Sequence, residues 1–157
     1  MKFSTKEDIE APAEFVFDAL ANFPAYERAA LRRGADVTRV DRLAETGPGL
    51  TWSLRFPIRG KMRRIVCELE RFDRPEAMDF VAESPGFNAS LVVGLVALSR
   101  TRTRLAVDLV IKPRTLTARL MLQSVRLNKA SYMRRFQSKI QKYAADLELR
   151  HLGPRMP

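Results

Sequence analysis

A chain of 157 residues, 46% hydrophobic and 29% charged, has the size and balance of a single folded domain, which excludes disordered and fibrous classes. Cys67 is the only cysteine and His151 the only histidine, so an internal disulfide, a thiolate metal cluster and a histidine-based nucleophilic site are excluded; no metal and no cofactor is expected. The net charge of +10 favours an anionic partner, either nucleic acid or an anionic membrane surface.

The first residues carry charges in place of the apolar core of a secretion signal. No apolar run reaches the ~18–20 residues of a membrane span, so a cytoplasmic protein is expected. Residues 2–10 read as a first strand, ended at Ala11-Pro12. Pro12 suits the opening turn of a short helix over 14–20, and Asn22-Phe23-Pro24 opens a second that stops at Gly34. Six further strands follow at 35–43, 50–58, 61–73, 77–84, 88–98 and 102–112, parted by short breaks that bear glycine, proline or serine. Such breaks join antiparallel neighbours. From 115 to about 149 the spacing of Ala118, Leu122, Val125, Tyr132, Phe136, Ile140, Tyr143 and Leu147 predicts one long amphipathic helix. Residues 1–150 therefore form one domain, and 151–157, with His151, a short polar tail.

Period-two alternation sorts the strands into faces. Trp52, Leu54 and Phe56, then Ile65, Cys67 and Leu69, then Met78, Phe80 and Ala82, then Leu105, Val107 and Leu109 share an apolar face; Arg64, Glu68, Glu70, Asp79, Glu83, Arg104 and Asp108 fall on the other. Arg64 and Arg104 are the expected ion-pair partners of Glu68 and Glu70. Strand 88–98 is apolar on both sides, and its Val92, Val96 and Leu98 are expected to be shielded by neighbouring side chains. The apolar face needs a cover, and the long helix is the element large enough to supply it.

Strand, two short helices, six antiparallel strands and a long terminal helix is an order similar to that of the START-like or SRPBCC superfamily, which includes polyketide cyclase/dehydrase and Bet v 1-like proteins. The opening from Ile9 to Glu27, where a strand meets a proline and an aromatic-rich helix pair, resembles that superfamily's start. The resemblance implies an α+β helix-grip fold: a seven-stranded antiparallel sheet wrapped around the C-terminal helix, with a cavity between them. By position it places Trp52, Leu54, Phe56, Cys67, Leu69, Phe80, Leu91, Val93 and Val107 on the sheet side of that cavity, and Met121, Leu122, Val125, Tyr132 and Met133 on the helix side. It implies no catalytic signature, and no catalytic residue is assigned.

Three readings stay open. A cavity for a hydrophobic small molecule, such as a lipid, quinone or polyketide-like compound, fits best, because the inward positions carry few polar groups. Transient docking on an anionic membrane would use the hairpin cations Arg59, Lys61, Arg63 and Arg64, set beside Phe56, Ile58 and Met62. A cofactor-free cyclase or dehydratase requires an inward acid or base, for which Glu68, Asp79 and Lys129 are candidates. An RNA or ribosome partner would be met by Arg119, Arg126, Arg134, Arg135 and Lys139, although no aromatic residues stand among these cations for base stacking. A monomer or weak homodimer is expected.

Overall fold

The structure, a computed structural model, describes residues 1–58 and 60–153. β1 (Lys2–Ile9) leads through Pro12 into α1 (Ala13–Leu20), and α2 (Phe23–Arg32) follows with Asn22 at its cap and Pro24 in its first turn. Proline is pre-set for a helix start, where its missing N–H costs no bond. Gly34, at φ 85°, takes the left-handed conformation that turns the chain out of α2. Six strands follow: β2 (Asp36–Arg39), β3 (Thr51–Ile58), β4 (Lys61–Asp73), β5 (Ala77–Glu83), β6 (Phe87–Ala97) and β7 (Thr103–Pro113). With β1 they form one antiparallel sheet in the order β1-β7-β6-β5-β4-β3-β2. α3 (Leu116–Leu127) and α4 (Lys129–Leu152) close the chain, and the whole is an α+β helix-grip fold.

Alternation holds along most strands, with one interruption that matters. β4 shifts register between Leu69 and Arg71, so Glu70 is a bulged extra residue. Leu69 faces inward opposite Phe80 and, past the bulge, Phe72 faces inward opposite Met78. Strict alternation would have put Phe72 outside with Glu68; instead its ring packs 5.1 Å from Phe17.

The core fills one half of the sheet. Ile9, Phe17, Leu50, Leu69, Met78 and Leu105 are sealed from solvent together with Leu147 of α4. The buried Thr103 hydroxyl donates to the Ala11 carbonyl at 2.7 Å and fixes the turn into α1. α4 lies over β1 and meets the start of α1, where His151 packs on Phe15. Phe136, Ile140, Tyr143, Ala144 and Leu147 are its inward side, and Glu148 accepts the Glu10 backbone N–H at 3.0 Å.

Four sequence expectations need correction. The long helix is two helices, broken at Asn128, whose φ −119° and ψ 27° leave the helical region; asparagine has a lower helix propensity than the residues on either side of the break, Leu127 and Lys129. His151 lies in the last turn of α4, not in a tail, its ring edge-on to Phe15 at 4.9 Å. Val92, Val96 and Leu98 stand unshielded at 41%, 59% and 42% exposure. Neither expected cation pairs with Glu68 or Glu70: Arg104 is held by Asp8 at 2.8 Å and Arg64 donates to Ser53 at 3.1 Å.

Candidate functional site

The other half of the sheet is not filled. There the concave face and α2 enclose an open cavity of about 470 Å³. A volume of that size lies in the range of small-molecule pockets. Sheet register explains where it lies. Beyond the bulky rows Met78–Val93 and Phe80–Leu91, the next row toward the β5–β6 turn is the small pair Ala82–Ala89, so filling gives way to space.

Trp52, Leu54, Cys67, Phe80, Leu91 and Val93, placed at the cavity by the family resemblance, all stand in the wall. Leu69 and Val107, expected beside them, are buried in the adjoining core, and Phe56 lies farther out along β3, beyond the wall. From the terminal helices, Met121, Leu122, Val125, Tyr132 and Met133 do not reach the wall. The cause is the break at Asn128: α4 rests on β1, and α3 rests on β7, with Ala118 against Gly86 at a separation that a Cβ would fill at 3.7 Å. Only Leu122 of these five is buried.

α2 takes the place expected of the long helix. Phe23, Tyr26, Glu27 and Ala30 form that side of the wall, together with Leu20 at the end of α1 and Val37 from β2. Phe23 meets Trp52 edge-on at 5.2 Å and Phe80 at 6.0 Å, joining helix to sheet. The spacing of Phe23, Tyr26, Glu27 and Ala30 at three and four residues was readable as one helix face; which way that face points was not.

The polar side chains on this side are engaged within the protein. The Trp52 indole N–H donates to Glu27 Oε1 at 2.8 Å, and the Arg39 guanidinium lies 5.8 Å above the same ring. The Tyr26 and Tyr143 hydroxyls share a hydrogen bond at 2.8 Å, and Tyr26 also donates to the Ala19 carbonyl at 3.3 Å. Burial, reinforced by the bond to Tyr143, raises Tyr26 far above the ordinary phenol range, so it stays neutral. Burial likewise pushes the Cys67 thiol up, the reverse of what a nucleophile needs.

Glu68, Asp79 and Lys129, the candidate acids and base, do not line the cavity. Among the described residues no cluster of three histidine, cysteine or acidic residues is arranged to hold a metal ion. Of the hairpin cations, Lys61, Arg63 and Arg64 are exposed on β4, and Arg59 lies outside the described residues. Arg119 and Arg126 project from α3, and Arg134, Arg135 and Lys139 from α4, all on the surface, with the Arg135 guanidinium 5.7 Å from the Tyr132 ring. Among the described residues no helix is long and apolar enough to cross a membrane.

No family model matches the chain, and no curated protein matches it in sequence. Solved structures match it in shape. A protein of Thermus thermophilus superposes with a TM-score of 0.65 at 14% identity, covering 94% of this chain and 97% of that one. Ara h 8.0201 follows at 0.60 and 13%, covering 93% and 98%, and the Zhui aromatase/cyclase from Streptomyces at 0.59 and 17%, covering 85% and 89%. A START superfamily protein from Mycobacterium smegmatis gives 0.56 and 15%, covering 85% and 95%. At these identities the likeness is one of fold. The chain has the START-like, or SRPBCC, helix-grip fold.

Proposed function

We propose that this chain binds and carries a hydrophobic small molecule, of the lipid, quinone or polyketide-like kind, in the cavity between the sheet and α2. The observation that carries this reading is the wall itself: an open space of about 470 Å³ faced by aliphatic and aromatic side chains, with the indole, carboxylate and phenol at its edge already tied to protein partners. Water in such a space finds few partners, while an apolar ligand gains about 25 cal/mol for each Å² it removes from water. Structures sharing the fold include a START superfamily protein and an aromatase/cyclase, which supports a ligand-holding role. A cyclase would require a proton donor or acceptor aimed at its substrate. Glu27 is the carboxylate in this wall, and it is committed to Trp52, so carriage is favoured over conversion.

Trp52 is the only tryptophan, which makes the cavity its own reporter. Titration with the neutral dye N-phenyl-1-naphthylamine is expected to quench Trp52 fluorescence saturably. Ala82→Phe combined with Ala89→Phe fills the open rows and is expected to weaken uptake at least about tenfold, the loss of ~1.4 kcal/mol of apolar contact. Equal uptake by the filled variant would mean that the dye binds somewhere other than this cavity.

A further inference from the structure

α3 has two apolar sides, and the fold uses one of them. Ala118 and Leu122 are buried against the β5–β6 turn and β7. At ~100° per residue, Leu116, Leu120 and Leu127 fall within about 40° of one another on the opposite side. They are 72%, 56% and 87% exposed, an uncommon cost for three leucines on one stripe. Arg119 and Arg126 line one edge of that stripe, and from residue 113 to 145 the sequence carries eight cations and no acid.

A second element of the same character stands at the same end of the sheet. The first β4–β5 pair is Val66 with Glu83, so the β3–β4 hairpin overhangs β5 by the five residues 61–65, about 16 Å at ~3.3 Å per residue. Exposed Ile58 and Met62 stand near its tip beside Lys61 and Arg63. The antiparallel order brings this tip, the β5–β6 turn and the end of β7 together, and Arg114 anchors the start of α3 there by donating its backbone N–H to Gly86 and its guanidinium to Ser84, both at 2.8 Å. The open rows of the cavity, Ala82 and Ala89, lie at this end as well.

We infer that this end of the molecule docks on an anionic lipid bilayer, with the Leu116–Leu120–Leu127 stripe of α3 entering the interface and Arg119 and Arg126 meeting the headgroups. Charge decides the occupant. A second copy would bring like-charged helices together, whereas an anionic leaflet complements both the leucines and the cations beside them. Nucleic acid would satisfy the cations and leave the leucines in water. The inference rests on this surface alone and does not depend on what fills the cavity.

The test is co-sedimentation of the full chain with phosphatidylcholine vesicles, with and without about one-third phosphatidylglycerol. Binding is expected on the anionic vesicles and is expected to fall at least about tenfold in the L116S/L120S/L127S variant. Arg119→Gln with Arg126→Gln is expected to cost about thirtyfold, because each cation near an anionic leaflet contributes about a fivefold factor. Unchanged circular dichroism and dye uptake in both variants would show that the fold and the cavity are intact, so that a failure of docking is distinct from a failure of ligand binding. The proposal is overturned if the wild type ignores anionic vesicles, or if the leucine variant binds them as tightly as wild type. It is also overturned if the cations bind RNA in a salt-dependent shift while vesicle binding is absent.

Discussion

Asp41 holds more of the site than its position in a loop suggests. Its carboxylate accepts from Arg39 Nε and Nη2, both at 2.7 Å, and from the backbone N–H groups of Leu43 and Thr51 at 2.9 and 2.8 Å. The guanidinium so fixed is the one above Trp52, and Trp52 in turn donates to Glu27. The Arg39 hydrogen bond, followed by the bond from Thr51, depresses the Asp41 pKa far below the ordinary carboxylate value. A depressed carboxylate contributes stability that is fully present above its unfolded pKa of ~3.9 and is lost as pH falls through the folded value. Asp41→Asn is therefore expected to lower the melting temperature at neutral pH, with the gap to wild type closing as the pH drops below about 4. A gap unchanged down to strongly acidic conditions would mean that Asp41 does not act through its charge. None of this was legible in the sequence, where Asp41 is one acid among 18. The sheet-side wall was legible in two ways: Trp52, Leu54, Cys67 and Phe80 follow from alternation, because a strand offers a side chain only two directions, whereas Leu91 and Val93, on a strand apolar on both faces, were placed by the family resemblance. Tyr26 and Glu27 were not, because the aim of a short helix is set by the elements it packs on.

The elements divide in the same way. All seven strands, the two short helices and the antiparallel order follow from periodicity and turn residues. What periodicity misses is an irregularity that resets it. The Glu70 bulge is such a case, since one extra residue turns Phe72 from the outer face to the core. Deleting Glu70 forces either a register slip or the expulsion of Phe72. The expected cost is at least ~2 kcal/mol, the order of exposing a phenylalanine side chain. Glu70→Ala keeps the bulge and is expected to be nearly neutral, so comparing their denaturation midpoints separates backbone length from side-chain chemistry. An equal loss in both would refer the effect to the carboxylate. The break at Asn128 is the second irregularity. Apolar spacing continues across it, so the sequence reads as one helix, yet α3 and α4 rest on different strands, and the helix-side residues expected at the cavity follow them away.

In the molecule as a whole, the packed core and the open cavity occupy opposite ends of one sheet. Ile9, Leu69, Leu105 and Leu147 seal the end near α1, while the rows beyond Phe80 and Leu91 carry small side chains beneath an opening. The fold was legible from the order of elements, but this partition was not, since it depends on where α3 and α4 come to rest. Its consequence is kinetic. Backbone amides at the filled end exchange their hydrogens with solvent only when the entire domain opens, whereas those of residues 61–65 and 82–89 exchange through smaller, cheaper openings. Deuterium uptake is expected to fall into two classes along the same strands, fast toward the β3–β4 tip and slow toward Leu69 and Met78, and a single uniform rate would contradict the partition. An occupied cavity is expected to slow only the fast class, so that under the proposed function a ligand would enter and leave through motions that never disturb the half that keeps the chain folded.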